Sequence, residues 1–563
     1  MDHSSSFEKS SHTVTRHLGS VNQDPPPPAS AKKTLVKAAG IVSLMTLASR
    51  VLGMVRDIVS AGRFGTSWQW DAFIYAFMLP NFFRRLVGEG ALSNAFIPVY
   101  SRTLHTQGKE AAFRFANVMG TVLSVGLVAM MLVVEAVLHY LYHADFLSER
   151  LHLTVDLLRI FFPYLFFISI FALAMGILNC HQHFFTPSLG PVILDLAWIG
   201  GILWIVPLAG KIPEDQLRAL AIVLLISGMA QVAVEVAPLR KMGLRFRFTP
   251  DFSEPNLKQT FRLILPAVMS FAIVQLNILV DMVLGYFIGP GANSNLWYGT
   301  RVMQFPLGVF GIAMGTALLP TISAQVARKE IEASQKTMSF ALRSVALILL
   351  PCMVGLMVLA VPIVQLLFER GEFDTFSTAR TAAVLFYYAI GLLSYSGEKM
   401  IATGFFAAQD MKTPVTLGAA SLILNTILNL LFMPFLKEAG LALATSLASI
   451  LEFAVLIYFY KKKISGLPLG EILRSYARIL TASLAMGLVC WMSYTFLHGV
   501  FASAHLGDQF VRVFGTISIS VAAYILFCFL FRVAEMKEAL EFIQKKSGGQ
   551  RGKGIGQRAE GEG

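Results

Sequence analysis

Ser43-Leu44-Met45-Thr46-Leu47-Ala48-Ser49-Arg50-Val51-Leu52-Gly53-Met54-Val55-Arg56-Asp57-Ile58-Val59 reads as successive turns of apolar helix interrupted by two arginines and an aspartate. The run around it, residues 35–62, is long enough to cross roughly 30 Å of hydrocarbon at about 1.5 Å per residue. A charged side chain at mid-membrane costs at least about 2.5–3.5 kcal/mol, so such residues face water-filled space between helices rather than lipid. This stretch therefore predicts a membrane-spanning helix with a polar cavity beside it.

Working outward, apolar segments recur near 69–101, 113–142, 152–180, 186–208, 217–238, 260–288, 294–325, 338–367, 378–407, 413–436, 440–460, 475–497 and 510–532, about fourteen spans in all. Charged residues make up 14% of the 563 positions and apolar ones 55%, whereas soluble proteins carry roughly 25% charge. The expected fold class is an all-α polytopic membrane protein. Cys180, Cys352, Cys490 and Cys528 stand far apart in apolar runs, which excludes a disulfide framework or a cysteine zinc site. No basic stretch interleaved with aromatics occurs in a soluble segment, so the net charge of +12 does not point to nucleic acid.

That charge follows topology instead, because basic loops are retained in the cytoplasm. Arg102, Lys109 and Arg114 follow span two; Arg240, Lys241, Arg245 and Arg247 follow span six; Arg328, Lys329 and Lys336 follow span eight; Lys461, Lys462 and Lys463 follow span twelve. The opposite loops are poor in basic residues, and the one around Glu369, Glu372 and Asp374 is net acidic. Both termini are expected in the cytoplasm. Residues 1–33, polar and containing Pro25 to Pro28, read as a disordered tail rather than a cleaved signal peptide, and 535–563 as a second tail.

The spans contain an internal repeat. Asp57, Val59 and Gly65 match Asp281, Val283 and Gly289; Ala95 and Pro98 match Ala317 and Pro320; the Q-x-x-x-T-P run at 182–187 recurs at 409–414. The offsets of 224, 222 and 227 are nearly one number. They predict two six-helix lobes, 34–240 and 241–465, related by a pseudo-two-fold along the membrane normal, with two added helices in 466–534.

Charges inside spans mark the candidate site. Span one carries Arg50, Arg56 and Asp57; span two carries Asp71, Arg84, Arg85 and Glu89; span eight carries Arg301. Asp57, Arg85 and Glu89 read either as structural ion pairs or as parts of the site. For Arg50, Arg56, Arg84 and Arg301 the nearby carboxylates are too few, so an anionic ligand is expected. Guanidinium suits phosphate because its planar fork binds oxygens in pairs and keeps its charge on burial. Pro80 with Asn81, and Pro306, are expected to break spans two and eight.

A second cluster, Asp281, Asn425, Asn429 and Thr445, places oxygen donors about 9–12 Å below the outer surface. It reads either as hydrogen bonding between helices or as ligands for a monovalent cation such as sodium. No nucleophile elbow, phosphate-cradling loop or His/Glu metal spacing is present, so the chain reads as a transporter and not an enzyme. Its energy would come from an ion gradient or the membrane potential, with no other cofactor.

Ser49-Arg50-Val51-Leu52-Gly53, Val55-Arg56-Asp57, Asp71-Ala72-Phe73, Leu79-Pro80-Asn81-Phe82-Phe83-Arg84-Arg85, Gly88-Glu89-Gly90-Ala91 and Arg301-Val302-Met303-Gln304-Phe305-Pro306 together resemble the MviN/MurJ family, the lipid II flippases of peptidoglycan synthesis. The resemblance implies a fourteen-helix fold of the multidrug/oligosaccharidyl-lipid/polysaccharide exporter superfamily, working in a bacterial inner membrane by alternating access. It implies undecaprenyl-diphosphate-linked disaccharide-pentapeptide as cargo, a monomer among membrane lipids, and a groove for the lipid tail at the two added helices. It makes Arg50, Arg56, Arg84 and Arg301 diphosphate contacts, Asp71 and Glu89 cavity acids, and Asp281, Asn425, Asn429 and Thr445 a sodium site. The chain departs from the family pattern at Met78, Thr300, Gln304 and Asn429, where some members carry charge. The competing reading is a multidrug or cation exporter of the same superfamily.

Overall fold

The computed structural model describes residues 29–83, 93–144, 147–308, 312–464, 466–503 and 505–538, and the account below concerns these. They contain helices and no strand. The first lobe comprises α1 (Ala29–Phe64), α2 (Trp68–Phe83), α3 (Ser93–Gln107), α4 (Lys109–Tyr142), α5 (Glu149–Phe161), α6 (Tyr164–Cys180), α7 (Phe185–Gly200) and α8 (Pro213–Lys241). The second comprises α9 (Pro255–Ile288), α10 (Ala292–Pro306), α11 (Ile312–Ala327), α12 (Ile331–Val358), α13 (Ala360–Phe368), α14 (Thr375–Ile390), α15 (Leu392–Ala407), α16 (Lys412–Leu436) and α17 (Glu438–Lys463). The added pair is α18 (Leu469–Val500) and α19 (Leu506–Leu530).

Eight described helices are long and apolar enough to cross a membrane, and ten if each bent pair counts as one span. The remaining spans expected from the sequence fall on α1, α2, α3, α9, α10 and α11.

Backbone geometry repeats between the lobes as the sequence offsets predict. The α5–α6 span bends by 41° at Phe162–Pro163, and the α14–α15 span bends by 42° at Gly391. Gln182 and Gln409, which open the two Q-x-x-x-T-P runs, both adopt left-handed backbone at φ 59° and 61°. A side-chain-bearing residue there is uncommon, so its recurrence at corresponding turns reflects a duplicated unit.

The α18–α19 pair packs on α12 and α13 through Leu350, Val354, Ile479, Met486 and Cys528. Tyr524 donates its hydroxyl to the Leu347 carbonyl at 2.7 Å. Glu535, assigned from sequence to the terminal tail, is buried instead: it pairs with Arg343 at 2.8 Å and accepts from Ser475 at 2.9 Å. Packing therefore continues past the last span.

Two other expectations need adjustment. Pro80 does not interrupt α2, which stays helical to Phe83. The helix runs through the proline, and the Asn81 side chain donates to the Phe77 carbonyl at 3.0 Å. Span five is not one uniform helix, since α7 gives way to a π turn at Gly201–Ile205 and a 3-10 turn at Val206–Ala209. α10 runs through Pro306 into a π turn at Leu307 and Gly308, the last described residues before Ile312.

Asp374 caps α14, accepting from the Ser377 N–H at 2.8 Å. That bond holds its carboxyl below the usual carboxylate range. Asp374→Ala should cost about 0.5–2 kcal/mol, read as an earlier thermal unfolding in detergent. A depressed folded-state value means the cap contributes above the ordinary carboxylate range and is lost as pH falls through the folded-state value. The mutant's deficit should therefore shrink in acid.

Candidate functional site

Between the lobes lies a cavity of about 1030 Å³, lined by α1, α2, α5 to α8, α9 and α10. Arg50, Arg56 and Asp57 of α1, Asp195 of α7 and Arg301 of α10 stand on its wall. Arg56 is held by two carboxylates, Asp57 at 2.9 Å and Asp195 at 2.9 Å, and its guanidinium lies 4.8 Å from the Trp198 ring centre. Asp57 also reaches across the cavity: its other oxygen lies 3.2 Å from Arg301 Nε, while Trp297 Nε1–H donates at 3.3 Å to the oxygen that Arg56 holds. Arg301 stacks on Trp297 at 4.4 Å.

Arg50 is different. Among the described residues it makes no hydrogen bond or ion pair, and its guanidinium rests on Gly308 of the opposite lobe, where a β-carbon would collide with it. Three guanidiniums thus share two carboxylates on this wall. In a space partly screened from water, the surplus positive charge favours an anion. Gly308→Ala should push Arg50 off its seat without changing the charge, so anion binding to the purified protein should fall several-fold. Unchanged affinity would mean that the seat is irrelevant.

Asp71 is not on the cavity wall, where the resemblance placed it. It is fully buried at the α1–α2 end of the bundle, where it joins the lobes. It accepts from the N–H groups of Gly291 at 2.7 Å and Ser294 at 2.8 Å, and from the Ser294 hydroxyl at 2.6 Å. A carboxylate from the first lobe thereby caps the N-terminus of α10 in the second, where unpaired N–H groups and the helix dipole favour negative charge. Arg150 of α5 pairs with it at 3.0 Å and is sandwiched by the Tyr75 and Tyr286 rings. Gly291 holds φ 82°, and a β-carbon there would press on the Thr66 carbonyl. Thr66 bonds Ser377 at 2.7 Å, and Glu372 N–H donates to the Gly62 carbonyl at 3.0 Å. This end is sealed across the lobes, while Thr46 and Gln304 on the cavity rim toward the other end are exposed.

Arg84, Arg85 and Glu89 lie outside the described residues. Asp281, Asn425, Asn429 and Thr445 do come together: Asn429 donates to Asp281 at 2.7 Å and to Asn425 at 3.0 Å, and Asn425 donates to Thr445 at 3.1 Å. Sequence reading missed Asp195 and Arg150. Asp195 carried the same signal as the residues it found, a charge inside an apolar span.

A family model described as lipid II flippase MurJ matches residues 60–507. The chain belongs to the MurJ family. A probable lipid II flippase MurJ of Vibrio cholerae serotype O1 is 32% identical over 533 residues, covering 90% of this chain and 99% of that one. A lipid II flippase MurJ of Burkholderia cenocepacia is 33% identical over 475 residues, covering 82% and 91%. A solved structure of lipid II flippase MurJ in an inward closed conformation superposes with a TM-score of 0.71 at 26% identity, over 87% of this chain and 98% of that chain. An inward-facing MATE family multidrug transporter of the MOP superfamily shares the fold at TM-score 0.61 and 15% identity, over 74% and 94%. Against the MATE neighbour, the MurJ likeness is closer both in fold and in residues.

Proposed function

We propose that this protein is a lipid II flippase, carrying an undecaprenyl-diphosphate-linked peptidoglycan precursor from the inner to the outer leaflet of a bacterial inner membrane by alternating access. The observation that carries this reading is the meeting of Arg50, Arg56 and Arg301, from both lobes, on one cavity where the carboxylates among the described lining residues are Asp57 and Asp195. A diphosphate would take the surplus charge, with Arg50 as the guanidinium free to grip it and Arg84 joining from the motif it shares with the family. No covalent bond is made or broken. The lobes meet at the end that the basic-loop pattern puts outside, so the described state faces inward, with both termini in the cytoplasm. The α18–α19 pair would hold the isoprenoid tail, and the chain acts as a monomer without nucleic acid.

Asp281, Asn425, Asn429 and Thr445 suit a sodium ion in their chemistry. Asn429 Oδ1 is buried without a partner, and one carboxylate among neutral oxygens matches a monovalent rather than a divalent ion. These four residues would hold it and supply charge neutralisation between α9, α16 and α17. A cation exporter would instead want surplus carboxylates, and its signature would be resistance to cationic dyes.

The test is depletion of the protein in cells, followed by measurement of lipid II accessible from outside. Exposure should collapse; undiminished exposure would overturn the reading. In the purified protein, Arg50→Ala should weaken binding of a lipid diphosphate by about ten- to a hundredfold, the worth of one hydrogen bond to a charged group at about 1.5–3 kcal/mol.

A further inference from the structure

α8 turns one stripe, Ser227, Gly228, Gln231 and Glu235, into the first lobe, and all four residues are buried against neighbours that include α6 and α7. Gln231 lines the cavity. Glu235 lies one helical turn further on, about 6 Å along the axis. It is fully buried, and neither of its carboxyl oxygens has a hydrogen-bond partner.

The titratable groups on the packed elements are occupied elsewhere. Asp195 of α7 is held by Arg56, Asp156 and Arg159 of α5 by Arg218 and Glu135, and Asp71 of α2 by Arg150. His152 of α5 meets the Tyr142 carbonyl, and Tyr75 of α2 donates to the Met282 carbonyl. On α6, Tyr164 lies against Gly228, and Cys180 stands at the helix end. Glu149 opens α5 at its far end, and Arg240 and Lys241 on α8 itself are exposed. None of these bonds Glu235. A carboxylate in such a place would have neither water nor cation, so the group is held as the neutral acid. A leucine would fill the space without leaving two oxygens unpaired, so packing does not explain the acid.

We propose that Glu235 is a proton-binding site whose occupancy is linked to the change-over of the two lobes. The proposal rests on the alternating-access reading. In the state described, the O–H bond is intact. The nearby contacts are of a kind that slides: Gly228 of α8 lies under the Tyr164 ring, and Gly190 of α7 under the Phe171 ring. Displacement of α7 along α8 opens Glu235 to the cavity past Gln231. The proton then passes to cavity water, and the carboxylate left behind faces the surplus guanidinium charge.

The test uses the full chain in nanodiscs of neutral lipid, with spin labels at Thr46 and Gln304 reporting the width of the cavity mouth between about pH 5 and pH 9. The wild type should shift its distance distribution with pH. Glu235→Gln, which imitates the neutral acid, should keep the acid distribution throughout, and Glu235→Asp should shift with a displaced midpoint. Infrared spectra at neutral pH should show a protonated-carboxyl stretch that Glu235→Gln lacks. A Glu235→Gln response matching the wild type, or identical spectra, overturns the proposal; should that variant fail to fold, an undisplaced Glu235→Asp midpoint does so. Because no cargo is present, failure here leaves the flippase reading standing, and loss of lipid II exposure on depletion tests that reading separately.

Discussion

Asp71→Ala is expected to unseal the α1–α2 end of the bundle. The substitution removes three hydrogen bonds that cap α10 and leaves Arg150, whose side chain is only 11% exposed, without its carboxylate. Breaking a buried pair from one side costs about 3–5 kcal/mol. Only the three hydrogen bonds from Gly291 and Ser294 cross between the lobes, so their loss falls on the closed state, whereas the pair with Arg150 lies within the first lobe. The balance between states should therefore move toward the open one by at least about tenfold, the worth of one hydrogen bond to a charged group at about 1.5–3 kcal/mol. A cysteine at Thr66, shielded in the parent protein, should become reactive to a membrane-impermeant thiol reagent in Asp71→Ala. Asp71→Asn, which keeps an acceptor but loses the charge, should fall between. Each lobe retains its own core, so insertion should be normal while transport is lost. If Thr66 stays protected, Asp71 does not hold the seal.

Arg56→Ala should abolish transport for a different reason. Asp57 and Asp195, 1% and 4% exposed, would lose the guanidinium that neutralises both. Asp57 keeps Arg301, but Asp195 is left with Ser49 alone, which costs about 3–5 kcal/mol, and the surplus positive charge that cargo phosphates would meet is cancelled. Thermal unfolding should come earlier, and lipid II should no longer reach the outer face. The double substitution Arg56→Ala/Asp195→Ala separates the two effects. Stability should largely return, since the orphaned acid is gone, but transport should not. Full growth with Arg56→Ala alone would remove this residue from the site.

What the sequence disclosed of this site depended on whether a residue's role was local. Arg50, Arg56, Asp57 and Arg301 were legible because a charge in an apolar span must be accommodated, and the accommodation they share is one cavity. Their pairing was not legible. Arg56 meets Asp195 from 139 positions away, and only the packing of α7 on α1 brings them together. Asp71 shows the same limit: its charge was visible, but its partners are backbone N–H groups of another lobe, which carry no side-chain signature. The duplication was legible because turns are local, and the left-handed glutamines sit at the motif that announced them. Pro80 misled because a proline does not always break the helix that contains it, and α2 runs through it to Phe83.

The seat of Arg50 on Gly308 has a mechanical meaning. A residue without a side chain in one lobe is the footing for a mobile cation of the other, so the gap between the halves at that depth is gauged by where a single guanidinium stands. A phosphate that draws Arg50 toward itself lifts a wedge from the seam, and the halves can then settle together behind the load.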